Sequence, residues 1–404
     1  DGGGTRATDG SERYIDNHEV WTTEYAPGST FGLQAAITDV CTTVASDGAA
    51  IRGGIVNIPA GVFNMGTNYI TVPASCFGLT IRGQGVGNRF GGTNSATGTL
   101  IKTNLTGGAD FITLAANQHV KIQDFAVEIS NGVAGSIVIN SQANNDYLEV
   151  SGLYTLHAGT AVANGTVLLM DDNQGANIHD NRFEGLGIGI EITGSEQNGG
   201  NRITRNKINA GIGTGSTSTV DIQITGTRPC VELAITDNLL QSANKGISAT
   251  STDNGFTCFI RLAGNYFEQT EGAGLENVRA AEDAVFSMEG NFFNPSTATA
   301  FHRVSAGIVA LVDTFSGNEH RGAITMDAGA CQVAGVTAGG GSVSACVEVA
   351  EDRALGFEGA TNDAFETTLT VTDPTADRTV TIPNATGNLT MDSAPATITG
   401  AWDI

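Results

Sequence analysis

The chain has 404 residues, a formal net charge of −23, 54 glycines, and 40% apolar but only 6% aromatic residues. So acidic a composition argues against nucleic acid or anionic membrane as the main partner, and no apolar run is long enough to cross a bilayer as a helix. Frequent Asn-Gly, Asp-Asn and Gly-Gly pairs predict short strands, tight turns and a thin core of Ile, Val, Leu and Ala, which is an all-β design.

The chain opens at Asp1 without a Met and stops at Trp402-Asp403-Ile404, so it reads as a piece of something longer. Residues 1–30 are expected to form an N-terminal arm. Phe31-Gly32-Leu33-Gln34-Ala35-Ala36-Ile37 reads as a short amphipathic helix. A first strand and turn follow at Gly53-Gly54-Ile55-Val56-Asn57-Ile58-Pro59-Ala60-Gly61-Val62-Phe63. Leu79-Thr80-Ile81-Arg82-Gly83-Gln84-Gly85 and Gly98-Thr99-Leu100-Ile101-Lys102 continue the strand-rich pattern.

Further along, one element recurs: an apolar strand, an Asn, one intervening residue and a large apolar residue. It runs Ile178-His179-Asp180-Asn181-Arg182-Phe183, then returns around Asn206, Asn238, Asn265, Asn291 and, more weakly, Asn318. These asparagines are 25, 32, 27, 26 and 27 residues apart. Earlier copies without Asn are Ile122-Gln123-Asp124-Phe125-Ala126-Val127 and Leu148-Glu149-Val150-Ser151-Gly152-Leu153. A second apolar column passes through Ile137/Ile139, Ile190/Ile192, Ile222/Ile224, Ile247/Ala249 and Leu275. Such a period means a solenoid with three short strands per coil. An inward Asn at each corner would bond the backbone and side-chain amide of the next coil.

On these residues the N-terminal two-thirds and more, roughly 30–330, resembles the pectate-lyase-like right-handed parallel β-helices. The resemblance implies a helix capping the first coil, blocking its unpaired strand edges. It specifies the reaction weakly, because that family includes lyases, hydrolases, epimerases and phage tailspikes. Thr367-Thr368-Leu369-Thr370-Val371-Thr372-Asp373-Pro374-Thr375-Ala376-Asp377-Arg378-Thr379-Val380-Thr381-Ile382-Pro383 resembles a segment common in phage tail-fibre and tailspike proteins. From its residues it is two alternating strands joined by a Pro/Asp turn. That likeness implies a homotrimer on a virion or outside the cell. The expected organisation is an arm over 1–30, cap and β-helix over 31–330, a connecting hairpin over 331–360 and a C-terminal β module over 361–404.

Six cysteines allow several pairings. Cys331 and Cys346 flank Gly339-Gly340-Gly341, and a hairpin there would oppose them. Cys230 and Cys258 fall in neighbouring coils but one residue out of register, which favours two buried thiols. Cys41 and Cys76 are unassigned.

Outward side chains of stacked coils form columns, so sites are sought in columns. Aligned on Asn181, the position after the large apolar residue reads Glu128, Tyr154, Glu184, Asn209, Gln241, Glu268, Asn294. The strand position before the corner reads Gln123, Glu149, His179, Thr204, Thr236, Ala263, Glu289. Arg182, Arg202, Arg205 and Lys207 reverse the local charge of an acidic chain within 26 positions. Lyase chemistry on a uronate needs its carboxylate neutralised, a base for the C5 proton and an acid for the leaving oxygen. Lys207, His179 and Tyr154 suit the acid and base roles, and Arg182 the neutralising one. Glu184 with Glu128, two coils apart, suits a hydrolase instead, as do Asp171, Asp172 and Glu191. Arg205, Arg202, Glu128, Glu149 and Tyr266 are candidate substrate contacts, the arginines through bidentate carboxylate bonds and Tyr266, with Phe292, by stacking. The competing reading is a set of Glu–Arg cross-links between coils.

His119, His157, His302 and His320 lack metal-site spacing, and no Cys-x-x-Cys occurs. No cofactor is required; calcium on Asp171, Asp172 or Asp221 is the one worth testing. The expected function is a tailspike-like polysaccharide depolymerase, lyase before glycoside hydrolase. A non-catalytic glycan adhesin and a secreted bacterial polysaccharide lyase are the alternatives.

Overall fold

A computed structural model describes residues 19–21, 32–42, 53–74, 76–86, 98–115, 119–130, 135–142, 146–157, 162–194, 199–210, 219–226, 231–241, 244–251, 258–268, 276–280, 284–294, 301–303, 314–320, 324–326, 355–357 and 367–369. The chain divides into two units, 1–347 and 348–404. In the first, each coil gives one strand in turn to three parallel sheets, of 11, 10 and 10 strands among the described residues. This is a right-handed parallel β-helix.

Register is the feature that builds it. In the first sheet Ile122, Val150, Ile178, Ile203, Ile235, Leu262 and Met288 lie one above another. In the second, Val127, Thr155, Phe183, Ile208, Leu240, Phe267 and Phe293 do the same. Both columns point inward and are buried. The β-branched and aromatic side chains of one coil therefore pack on their equivalents in the next, roughly 4.8 Å away.

The corner between first and second sheets explains the asparagine repeat. The residue before each Asn position is left-handed: Asp124, Gly152, Asp180, Arg205, Asp237, Gly264, Gly290 and Gly317 have φ between 54° and 63°. Gly and Asp tolerate that conformation, and a Cβ on Gly264 would also lie 2.5 Å from the Asp237 carboxylate. Turning the chain there would orphan backbone groups inside the solenoid. The asparagines satisfy them. Asn206 donates from Nδ2 to the Ile178 carbonyl (2.9 Å) and to Asn238 Oδ1 (3.0 Å), and its own N–H donates to that same oxygen (2.9 Å). The pattern runs unbroken from Asn181 to Asn318. In the two earlier coils Phe125 and Leu153 take the corner, and both are buried.

The third sheet is less regular. Phe111-Ile112, Val138-Ile139 and Val167-Leu168 are consecutive buried pairs, so the strands bend and turn two successive residues inward. This bend shifts the second column expected from sequence. Ile139, not Ile137, lies level with Leu168, Ile190, Ile222 and Ile247. Leu275 lies outside the described residues.

The helix Leu33–Thr42 closes the first coil, burying Leu33, Ala36, Ile37, Val40 and Cys41. Gln34 acts as a substitute strand: its amide donates to the Thr71 carbonyl (3.0 Å) and accepts from the Thr71 N–H (2.8 Å). A disulfide joins Cys41 to Cys76. Three residues of the expected arm, Glu19–Trp21, pair in parallel with Gly54–Asn57 at the edge of the first sheet. Cys258 is also disulfide-bonded, which corrects the buried-thiol reading. It is buried as the first residue of a strand whose inward and outward residues alternate from Cys258 on. Cys230, Cys331 and Cys346 lie outside the described residues.

In the second unit Leu355–Phe357 pairs antiparallel with Thr367–Leu369. The rest of the expected C-terminal module, with its Pro374–Asp377 turn, lies outside the described residues. Among the described residues no helix is long and apolar enough to cross a membrane.

Candidate functional site

The sequence grid needs one correction before its residues can be placed. Val150, not Leu148, lies level with Ile178, so the coil without Asn sits two residues from its expected register. The glycine-flanked Leu153 had hidden the corner. Tyr154 consequently joins the column Ala126, Tyr154, Arg182, Lys207, Leu239, Tyr266, Phe292 on the outer wall of the second sheet. Glu128, Leu156, Glu184 and Asn209 form the column beside it. Glu149 moves to the first sheet, level with Lys121 and Asn177.

The expected site thus divides between two walls. On the second sheet, Glu184 is only 9% exposed and is held at both oxygens. Arg182 Nε donates to Oε1 (2.7 Å) and the Tyr154 hydroxyl donates to Oε2 (3.2 Å). The Arg182 guanidinium lies over the Tyr154 ring, 4.8 Å from its centre. Lys207 follows one coil on, level with Arg182. Glu128 is in the same column as Glu184 but carries its own ion pair with Lys102 (2.9 Å). Further along, Tyr266 and Phe292 stack at 5.1 Å, and Asn294 donates to the Tyr266 hydroxyl (2.8 Å).

On the first sheet and its corner, charges alternate in sequence along the wall. Lys121 pairs with Glu149 (2.9 Å), whose other oxygen meets His179 Nε2 (3.4 Å). His179 Nδ1 meets Asp180 (2.7 Å), and Arg205 grips both Asp180 oxygens at 2.8 and 2.7 Å. The Arg205 bonds, helped by His179, hold Asp180 down at about 2. Burial alone would raise Glu149, but Lys121 and His179 bring it below the ordinary range. From Lys121 to Arg205, each charge of this row is answered by a neighbour. His179 is therefore not beside Lys207 and Tyr154, and Arg205 is committed to Asp180. Arg202 stands exposed on the first sheet between Asn177 and Ala234.

The third sheet holds groups that the column search did not bring together. Burial raises Glu191, and burial with the nearby Asp172 raises Asp171. Asp171 lies level with Thr193, two residues beyond Glu191, while the Glu191 carboxylate leans the other way to accept from Thr166 Oγ1 (3.1 Å). The Glu191 carboxylate is thus bonded on its Thr166 side rather than to Asp171. Two coils earlier on the same sheet, Asn140 Nδ2 donates to Asp110 Oδ2 (2.6 Å). Their signal in the sequence is the doubled buried pair flanked by polar residues, a pattern strict alternation discards.

Calcium does not fit at Asp221. Its carboxyl faces the solenoid interior with no exposure and accepts from the N–H groups of Ala210 (2.9 Å) and Gln241. These N–H donors favour the ionised form and oppose the effect of burial. Burial pushes this carboxyl well above the ordinary range. Among the described residues no group of three His, Cys, Asp or Glu is placed to hold a metal.

No protein-family model matches the chain, and no curated protein matches it. Solved structures do. The DFA-IIIase from Arthrobacter chlorophenolicus A6 in complex with GF2 aligns with a TM-score of 0.52 at 12% identity, over 78% of this chain and 93% of that one. The alginate lyase from Paenibacillus sp. str. FPU-7 aligns with a TM-score of 0.48 at 12% identity, over 76% of this chain and 97% of that one. At this identity the DFA-IIIase alignment establishes shared architecture: the chain has the β-helix fold of that solved enzyme.

Proposed function

We propose that this chain is a polysaccharide-processing enzyme that binds an anionic glycan along the outer wall of the second sheet and cleaves it by β-elimination. One observation carries the reading. Lys207 follows Arg182 in a column of that wall, and among the described residues no carboxylate pairs with its ammonium. In a chain of net charge −23, an unanswered cation beside a held Tyr–Glu pair suits a substrate carboxylate. The β-helix enzyme crystallised with GF2 shares the architecture on which that wall is built.

In the proposed step Lys207 neutralises the uronate carboxylate and acidifies the C5 proton. The Tyr154 oxygen takes that proton while its own passes to Glu184, whose position Arg182 fixes. The C5 electron pair forms the C4–C5 double bond as the C4–O bond breaks. The leaving oxygen takes the proton now on Tyr154, and Glu184 returns its proton to the phenolate. His179 takes no part.

The test is incubation with a panel of uronate-containing polysaccharides, following the ultraviolet absorbance of unsaturated products. Lys207→Ala is expected to lower the rate about 100-fold or more, and Tyr154→Phe comparably. Full activity in both variants contradicts the site. Binding without any product favours the second reading, a glycan adhesin, for which the Tyr266–Phe292 stack is the supporting observation.

A tailspike-type homotrimer outside the cell or on a virion belongs to the same proposal. The Thr367–Pro383 resemblance supports the assembly, and the Cys41–Cys76 disulfide suits an oxidising compartment. Light scattering on the full chain is expected to give three times the chain mass; a monomer removes the assembly claim.

A further inference from the structure

On the outer wall of the second sheet two columns of side chains run side by side, and past Lys207 their charge changes coil by coil. One coil on, Leu239 lies level with Lys207, and Gln241 stands two residues along the same strand. Two coils on, Tyr266 lies level with Leu239 and Glu268 level with Gln241. Three coils on, Phe292 lies level with Tyr266. All five are half-buried, so they form the surface of the wall. The Gln241 amide donates to Glu268 Oε2 (2.6 Å), and among the described residues no cation pairs with that carboxylate. Past Lys207 the wall is thus first apolar and neutral, then acidic.

On the other side of Lys207 the described charges of the wall are already paired. Arg182 is bonded to Glu184 (2.7 Å) and Lys102 to Glu128 (2.9 Å), and the coil between them presents Tyr154 and Leu156, both uncharged. Lys207 is therefore the one cation of this wall, among the described residues, that no carboxylate answers. A carboxylate placed on Leu239 would lose water and gain no partner. One placed beside Glu268 would meet a like charge, and like charges facing each other exclude a partner more than they weaken a good one. The wall accepts one negative charge at Lys207 and opposes a second at either of the next two coils.

Coils rise by roughly 4.8 Å, close to the length of one sugar residue in an extended chain. A glycan laid along the wall therefore meets a new coil with each residue. We propose that the substrate of the second-sheet site is a heteropolysaccharide whose uronates are separated by at least two neutral sugars, and that Leu239 and Glu268 set this spacing. With the reacting uronate at Lys207, the next sugar lies on Leu239 and the one after it beside Tyr266 and Glu268. A polyuronate would bring a carboxylate to Leu239. A polymer in which uronates and neutral sugars alternate would bring one to Glu268. Only a sparser repeat brings neutral sugars to both coils. The inference rests on the elimination site proposed above and adds no step to its chemistry.

Three groups of probes test it, each followed by the ultraviolet absorbance of unsaturated products. The first is polyuronates, polygalacturonate and alginate. The second is alternating uronate–hexosamine polymers, hyaluronan and unsulfated chondroitin. The third is deacylated gellan and capsular polysaccharides with one uronate in a tetrasaccharide repeat. Wild-type kcat/KM on a member of the third group should exceed that on every member of the other two by about tenfold or more. Glu268→Lys should raise kcat/KM on the alternating polymers about tenfold relative to the sparse ones, through KM, and Leu239→Lys should do the same for the polyuronates. Glu232→Lys makes the same charge change on the exposed wall of the first sheet and should shift neither preference, which separates a local effect from one of net charge. Polyuronates or alternating polymers cleaved as fast as the sparse ones overturn this inference and leave the elimination site standing. So does an unchanged preference in both Glu268→Lys and Leu239→Lys. Unsaturated product from no polymer in any group overturns the inference and the site together.

Discussion

The corner between the first and second sheets and the wall of the third sheet are made by the same coils, yet from Asn181 onward only the corner keeps one residue. There each coil meets the same problem, backbone groups turned away from water, and solves it with an asparagine. Asn181 through Asn318 is the result. On the third sheet the inward positions need only apolar bulk, so the outward ones vary from coil to coil. There the chain carries Asp110, Asn140, Thr166 and Glu191, one of them with a buried oxygen unmatched. Regularity marks what holds the solenoid together. Departures from it mark where chemistry can be placed.

The sharpest way to break this contrast is to damage the corner. Asn238→Ala removes the partners of the Ile203 carbonyl and of both donors of Asn206. Three buried groups left unmatched should cost about 3–5 kcal/mol, read by urea denaturation. A loss under 1 kcal/mol would mean that the ladder decorates rather than supports. The cap comes next. Cys41→Ser with Cys76→Ser opens a loop of 35 residues and should cost about 2–4 kcal/mol, with proteolysis starting in the first coil.

A smaller effect tests the interior of the third sheet, where Asp221 replaces the apolar residues of Phe111, Val138 and Val167. Its folded-state proton is held more tightly than in the unfolded chain. Its contribution is therefore complete below the unfolded value of 3.8 and is lost as pH rises toward the folded value. Stability should fall across that window by up to about 1.4 kcal/mol per pH unit, and Asp221→Asn should flatten the fall. The smallest effect lies outside. Arg205→Gly should leave the melting temperature nearly unchanged, because glycine suits the left-handed corner. It should also let the Asp180 carboxyl climb from about 2 toward its ordinary value in an NMR titration.

How much could be read from the sequence follows from the same contrast. The solenoid, the cap helix and the inward asparagines were legible because each repeats a local necessity. Residues Arg182, Glu184 and Lys207 were placed on one wall correctly, since their coils carry Asn. Tyr154 and Glu149 slipped two residues because their coil turns at Gly152-Leu153, with no Asn to mark the corner. That slip placed Glu149 before His179 in one column, whereas the fold puts it level with Lys121 and Asn177. His179 was grouped with Lys207 because both flank Asn-marked corners, but the corner sends them to different sheets. Asp110 and Asn140 escaped notice because doubled inward residues defeat a strict two-residue alternation. The Cys41–Cys76 bond joins a helix to a coil, a juxtaposition that no strand register encodes.

The most direct test is one comparison on a broad glycan panel between wild-type protein and the double variant Lys207→Ala with Tyr154→Phe. Circular dichroism and melting temperature should match between the two, since neither residue lies in the corner ladder. The account predicts that wild-type protein cleaves at least one glycan and that the folded double variant cleaves none. Cleavage by the double variant at the wild-type rate, or a folded wild-type protein that cleaves nothing on the panel, would contradict it.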